Sequence, residues 1–129
     1  MTPSSPSPSP SLPQAPDERF FEPSVGIEAM GSDESFRLIL ETMLESLTAN
    51  LPEIHQALAK GDVPTANSIL HSIKGYVPLM CTDRLVEMVT HIEGVSKTAG
   101  SEQVIPLYAT LEPILQQLLI EIQAYIDKN

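Results

Sequence analysis

Apolar side chains recur at helical spacing through most of the 129-residue chain. Between Asp33 and Lys60 they fall at Phe36, Ile39, Leu40, Met43, Leu44, Leu47, Leu51, Ile54 and Leu58, the i, i+3, i+4, i+7 stripe of one long amphipathic helix. Ser32 or Asp33 offers an N-cap, and Pro52, which has no backbone donor, predicts a bend. A second stripe at Ala66, Ile69, Leu70, Ile73, Val77 and Met80 predicts a helix that starts at "GDVPTAN". There Gly61 suits a C-cap, Asp62 an N-cap and Pro64 a first helical turn. Leu85, Met88, Val89 and Ile92, behind a cap at Thr82 or Asp83, predict a third helix ending toward Gly100. Leu107, Leu111, Ile114, Leu115, Leu118, Leu119, Ile122 and Ile126 predict a fourth, with Pro106 in its first turn and Pro113 bending it. Val25, Ile27, Ala29 and Met30 predict a short helix that closes one end of the core and stops at Gly31 and Ser32. No segment sustains strand alternation, so the expected fold is all-α: an antiparallel four-helix bundle with a short additional N-terminal helix.

The stripes leave the start of the chain unaccounted for. Residues 2–16, "TPSSPSPSPSLPQAP", carry one large apolar side chain, Leu12, and alternate Ser with Pro, a composition that favours solvated, extended backbone. Residues 1–19 are therefore expected to be a disordered tail or linker and residues 20–129 the helical domain. Such a segment also suits proline-recognising modules, but a linker is its commoner use.

Charge and cysteine content narrow the partners. Seventeen acidic against seven basic side chains give a net charge of −10, which opposes binding to a phosphate backbone and argues against nucleic acid. The single cysteine, Cys81, has no internal partner, and no N-terminal signal pattern is present. Even "LEPILQQLLIEIQAYI" is interrupted by Glu and Gln, so no membrane span is expected. A cytoplasmic setting follows, either free or as the cytoplasmic portion of a membrane-bound protein. No strong apolar stripe remains for self-association, so a monomer is expected.

The candidate chemistry lies in "HSIKGYVPLM", residues 71–80. Asn67, His71, Lys74, Gly75 and Pro78 fall on the side of their helix opposite the apolar stripe. Solvent-facing His and Lys are common, and an occasional Gly survives in helices, so an ordinary surface is one explanation. The chemical explanation is that an exposed imidazole is a nucleophile through a ring nitrogen, and a lysine one turn away offsets the charge of an arriving phosphoryl group. Gly75, one turn C-terminal to His71, clears the space for it.

The wider pattern "HSIKGYVPLMCTDRLVEMVTHIE" resembles the signature of the histidine-containing phosphotransfer (HPt) domain, H-x-x-K-G followed by a turn, an Arg-Leu pair and an apolar-Glu pair. Here these are His71, Lys74, Gly75, Arg84, Leu85, Ile92 and Glu93. Upstream, "VGIEAMGSDESFRLILETMLESL" and "LAKGD" also resemble the family, and the likeness spans about residues 20–126. Tyr76 and Cys81 depart from the small residues and the glycine usual at those places, and Pro78 is uncommon. The resemblance implies that His71 accepts a phosphoryl group from the aspartate of a response-regulator receiver domain and relays it to another receiver. A hybrid sensor histidine kinase is the implied source. Lys74 would stabilise the phosphate and Gly75 give access. Mg²⁺ and the acidic machinery would sit on the receiver, leaving this chain a carrier with no cofactor and no kinase activity. Glu93 would hydrogen-bond the imidazole and Lys97 assist, while Asn67, Tyr76 and Pro78 would border the docking face. Glu93 and Lys97 are equally an ordinary i, i+4 surface pair.

Two other classes compete. A metal site from His55, His71, Cys81 and His91 has spacings of 16, 10 and 10, which match no short ligand motif, so no metal is expected. A phosphatase or phosphodiesterase lacks a second acid/base constellation beside His71. The stronger rival is a bundle that binds a receiver or helical partner through the same face without being phosphorylated. Transfer of label from a phosphorylated receiver separates it from a carrier.

Overall fold

The computed structural model describes residues 18–128; the Pro/Ser-rich tail over 1–17 lies outside them. Five helices follow in order: α1 (Pro23–Met30), α2 (Asp33–Ala59), α3 (Val63–Tyr76), α4 (Asp83–Ser96) and α5 (Ser101–Asp127). Helices α2 and α4 each pack against both α3 and α5, so four helices close a ring around one core. The sense is antiparallel. Arg37 near the start of α2 donates to the Ile126 carbonyl at the end of α5 (3.1 Å), and the buried Tyr108 hydroxyl near the start of α5 donates to the Leu51 carbonyl (3.1 Å).

Local chemistry fixes the boundaries. The Ser32 hydroxyl accepts from the Ser35 amide, and Asp62 accepts from both the amide and the hydroxyl of Thr65, so the starts of α2 and α3 each have an orphan donor satisfied. Gly31 and Gly61 end α1 and α2 at φ of 91° and 76°, a region that suits glycine. Gly31 donates to the Ile27 carbonyl at 2.9 Å.

The structure differs from the periodicity in four places. Helix α3 stops at Tyr76 instead of running to Met80, because Pro78 has no donor to extend the ladder; Val77–Leu79 form one 3₁₀ turn. Helix α4 ends at Ser96, short of Gly100, and a turn covers the interval. Helix α5 starts at Ser101, which places Pro106 in the second turn and not the first. Each proline of α5 deprives one carbonyl, Glu102 or Ala109, and both of those residues are exposed, so water can satisfy them. In α1, Ile27 and Met30 pack against the core as expected, but Val25 and Ala29 face outward, and the one fully buried residue is Gly26.

Gly26 is there because Phe36 is. A Cβ at this position would lie 1.9 Å from the Phe36 ring, which is itself buried. Gly26→Ala is therefore expected to lower stability by roughly 1–3 kcal/mol, as over-packing does. Urea unfolding of the full chain checks this; an unchanged midpoint would show that α1 is free to shift.

A strap of residues 18–22 crosses the α3–α4 turn. The Glu22 amide donates to the Met80 carbonyl (2.6 Å) and the Thr82 amide to the Phe20 carbonyl (2.8 Å), with Phe21 and Cys81 as the bridged pair. Phe20 is fully buried, and Phe21 stacks with Phe36 (6.3 Å between centroids) and meets Tyr125 edge-on (5.5 Å). Glu18, placed in the tail by composition, already belongs to this strap: its carbonyl accepts from Gln117 and its carboxylate pairs with Arg84 at 3.1 Å. Among the described residues no helix is long and apolar enough to cross a membrane.

Candidate functional site

Two neighbouring helices supply the site. From α3 come Asn67, His71 and Lys74, spaced so that all three reach the groove beside α4; from α4 come Glu93 and Ser96, and from the cap just after it Lys97. Glu93 follows Val89 by four residues on the inward stripe of α4, so its carboxylate is carried into the groove and is almost completely buried. A charge placed there needs partners.

It has them. Glu93 Oε1 lies 3.2 Å from Lys74 Nζ and 3.8 Å from Lys97 Nζ, and Oε2 lies 3.4 Å from His71 Nδ1 and 3.4 Å from Asn67 Nδ2. Burial pushes the Glu93 carboxyl pKa up, but the Lys74 ammonium, with Lys97 and His71 behind it, overrides that and holds it below the usual carboxylate range. The imidazole itself stands outside, its side chain 68 % exposed. Its Nδ1 edge is turned to the carboxylate, which leaves Nε2 as the edge facing solvent.

The depressed Glu93 pKa carries a pH signature. Between its folded value and roughly pH 4.3, the unfolded chain binds a proton that the folded chain does not, so stability rises with pH there. Relative to Glu93→Gln, the wild-type protein is expected to hold its full advantage above that range. The advantage should shrink as pH falls and level off once the folded carboxyl is protonated. Denaturant midpoints of both proteins from pH 3 to 7 test it; parallel curves would refute the pairing.

The remaining candidates are placed differently. Gly75 lies in regular α3 helix, and a Cβ built there meets nothing within 4 Å. The fold does not require glycine at this position. Pro78 is exposed on the 3₁₀ turn. Asn67 is half-buried and turned toward α4, away from the docking face for which sequence nominated it. Tyr76 is also half-buried: its hydroxyl sits inside, beside Asn50 of α2, and burial pushes the phenol pKa up. Of the three proposed docking residues, Pro78 alone is exposed. His55 sits on the α2–α5 side, its Nδ1 3.9 Å from Glu112, and Cys81 is buried beneath the strap.

Ser96 went unrecognised in the sequence. Its hydroxyl donates to the Glu93 carbonyl at 2.7 Å and accepts from Asn67 at 2.8 Å. The signal was available: Ser96 lies seven residues after Val89 on the inward face of α4, and a buried hydroxyl there needs a partner.

A family model described as Hpt domain matches residues 38–126. No curated protein and no solved structure matches the chain.

Proposed function

The chain belongs to the Hpt domain family, and from that premise we propose that it is a phosphoryl carrier whose acceptor is Nε2 of His71. The observation that carries this reading is the exposed imidazole backed through Nδ1 by a buried carboxylate. A proton on Nδ1 facing Glu93 leaves the lone pair on Nε2, pointed at solvent, where a partner arrives. That lone pair attacks the phosphorus of an acyl phosphate on a receiver aspartate. The N–P bond forms, the P–O bond to the aspartate breaks, and the aspartate leaves as a carboxylate. The ring becomes an imidazolium whose Nδ1–H Glu93 stabilises. Reversal onto a second receiver returns the electron pair to Nε2.

Lys74 is the nearest cation to Glu93 and is partly exposed, so it can also face the transferred group. Lys97, more exposed and farther from Glu93, is the second positive charge at the rim. Receiver domains, including that of a hybrid sensor kinase, are the partners; the acidic residues and Mg²⁺ for the aspartate side belong to them. The carrier works in the cytoplasm as a monomer, with Pro78 at the edge of the docked surface. Incubation with a phosphorylated receiver tests the reading. An acid-labile, base-stable label on this chain supports the carrier, and complex formation without label would establish the pure interaction module instead.

Gly75 gives the test a second arm. Since nothing lies near its missing Cβ, Gly75→Ala is expected to raise stability by about 0.5–1 kcal/mol, the helix-propensity difference. Gly75→Gln adds a long side chain one turn from His71 and is expected to slow transfer from the receiver. A variant that is stable and transfers at the wild-type rate would make Gly75 a tolerated surface glycine.

A further inference from the structure

The hydrogen bonds of Asn67 do not serve the bundle alone. Asn67 lies one turn before His71 on α3 and reaches across to α4, with Nδ2 at 2.8 Å from Ser96 Oγ, 3.1 Å from the Glu93 carbonyl and 3.4 Å from Glu93 Oε2. The Ser96 hydroxyl gives its one proton to the Glu93 carbonyl. It therefore turns lone pairs toward Asn67, and only the NH₂ end of the amide can face it. The network thus fixes which way the amide points, and its NH₂ group faces the same carboxylate oxygen that His71 Nδ1 approaches.

The terminal torsion of a glutamate is soft, so the surrounding donors decide where its two oxygens point. Around Glu93 the donors divide. Lys74 and Lys97 gather at Oε1, while Asn67 and His71 meet at Oε2. Without Asn67 the two ammonium groups are the stronger attraction, and the carboxylate is free to turn toward them and away from the ring. We infer that Asn67 is a positioning residue that, braced by Ser96, holds Glu93 Oε2 opposite His71 Nδ1 and so selects the ring tautomer with Nε2 unprotonated. This matters to transfer through the carrier reading given above, but it is a property of the unphosphorylated protein and is measured there.

The experiment uses the ¹⁵N-labelled full chain and reads the two ring nitrogens of His71 by long-range ¹H–¹⁵N correlation at a pH where the ring is neutral. The wild-type protein should show a protonated Nδ1 and a pyridine-type Nε2. Asn67→Ala should shift the ring toward the Nε2–H tautomer that prevails in water, and Ser96→Ala, which keeps the amide but removes its brace, should shift it less. In a Glu93→Gln background, Asn67→Ala should add no further change, because the route through the carboxylate is already gone. Asn67→Ser, too short to reach Glu93, repeats the test should the alanine variant fail to fold. An unchanged ring signature in the Asn67 variants would overturn the inference. So would an equal change in both Glu93 backgrounds, since a residue that merely supports the α3–α4 packing has no need of the carboxylate. Failure of the wild-type chain to accept phosphate would sink the carrier reading and leave the tautomer result standing, so the two failures are distinguishable.

Discussion

His71→Gln is expected to accept no phosphoryl label from a phosphorylated receiver while keeping the wild-type helical spectrum. The side chain is 68 % exposed, and substitutions at such positions usually cost under about 0.5 kcal/mol. His55→Gln and His91→Gln are expected to accept label within a few-fold of wild type. His55 is followed three and four residues later by Leu58 and Ala59, and His91 by Gly94 and Val95, so neither has a lysine one turn on. His55 also lies on the α2–α5 side, near Glu112. Label retained by the His71 variant, with thermal melting unchanged, would remove the acceptor assignment.

Lys74→Ala is expected to fail in two ways at once. Loss of a positive group aimed at the transferring phosphate costs transfer on the order of 10²-fold, and the label, once formed, should be lost faster. The fold suffers as well, because the buried Glu93 carboxylate gives up its nearest cation, at 3.2 Å. Lys97, His71 and Asn67 remain around it, so the expected loss is about 1–3 kcal/mol, less than for a buried pair with no other support. Lys97→Ala should show a weaker form of both effects, since its ammonium is 3.8 Å away and 57 % exposed. Single-turnover transfer and urea unfolding on the same preparations check the pair. Wild-type values in both would reduce Lys74 to a surface residue.

Where one helix face decided the outcome, the sequence was enough. The stripes beginning at Phe36, Ala66 and Leu85 face the core, and Ser32, Gly61 and Asp62 mark helix ends as their chemistry requires. Periodicity was less useful where distant chain segments meet. Val104 and Tyr108 are buried, and Tyr108 bonds Leu51, so tertiary packing carries α5 back past Pro106 against the local preference of that proline. Phe20 is buried by a strap whose partners lie some sixty and a hundred residues on, beyond any local pattern. The site divides in the same way. His71, Lys74 and Gly75 are legible as one turn of one helix. A helical wheel for α3 turns Asn67 outward because it does not show that α4 lies within reach. Glu93 and Lys97 read equally as a surface pair until the crossing of α3 and α4 places the carboxylate beneath the imidazole.

The strap also ties the start of α4 to the chain's N-terminal side. As the N-cap residue, Thr82 would ordinarily leave its own amide to water, yet that proton is held by the Phe20 carbonyl, and the Met80 carbonyl just before it is held by Glu22. Neither bond can open while Phe20 stays seated, and Phe20 cannot leave without uncovering apolar surface that the ring of helices encloses. The amides of Glu22 and Thr82 are therefore expected to share one opening free energy in hydrogen exchange, although sixty residues of chain separate them.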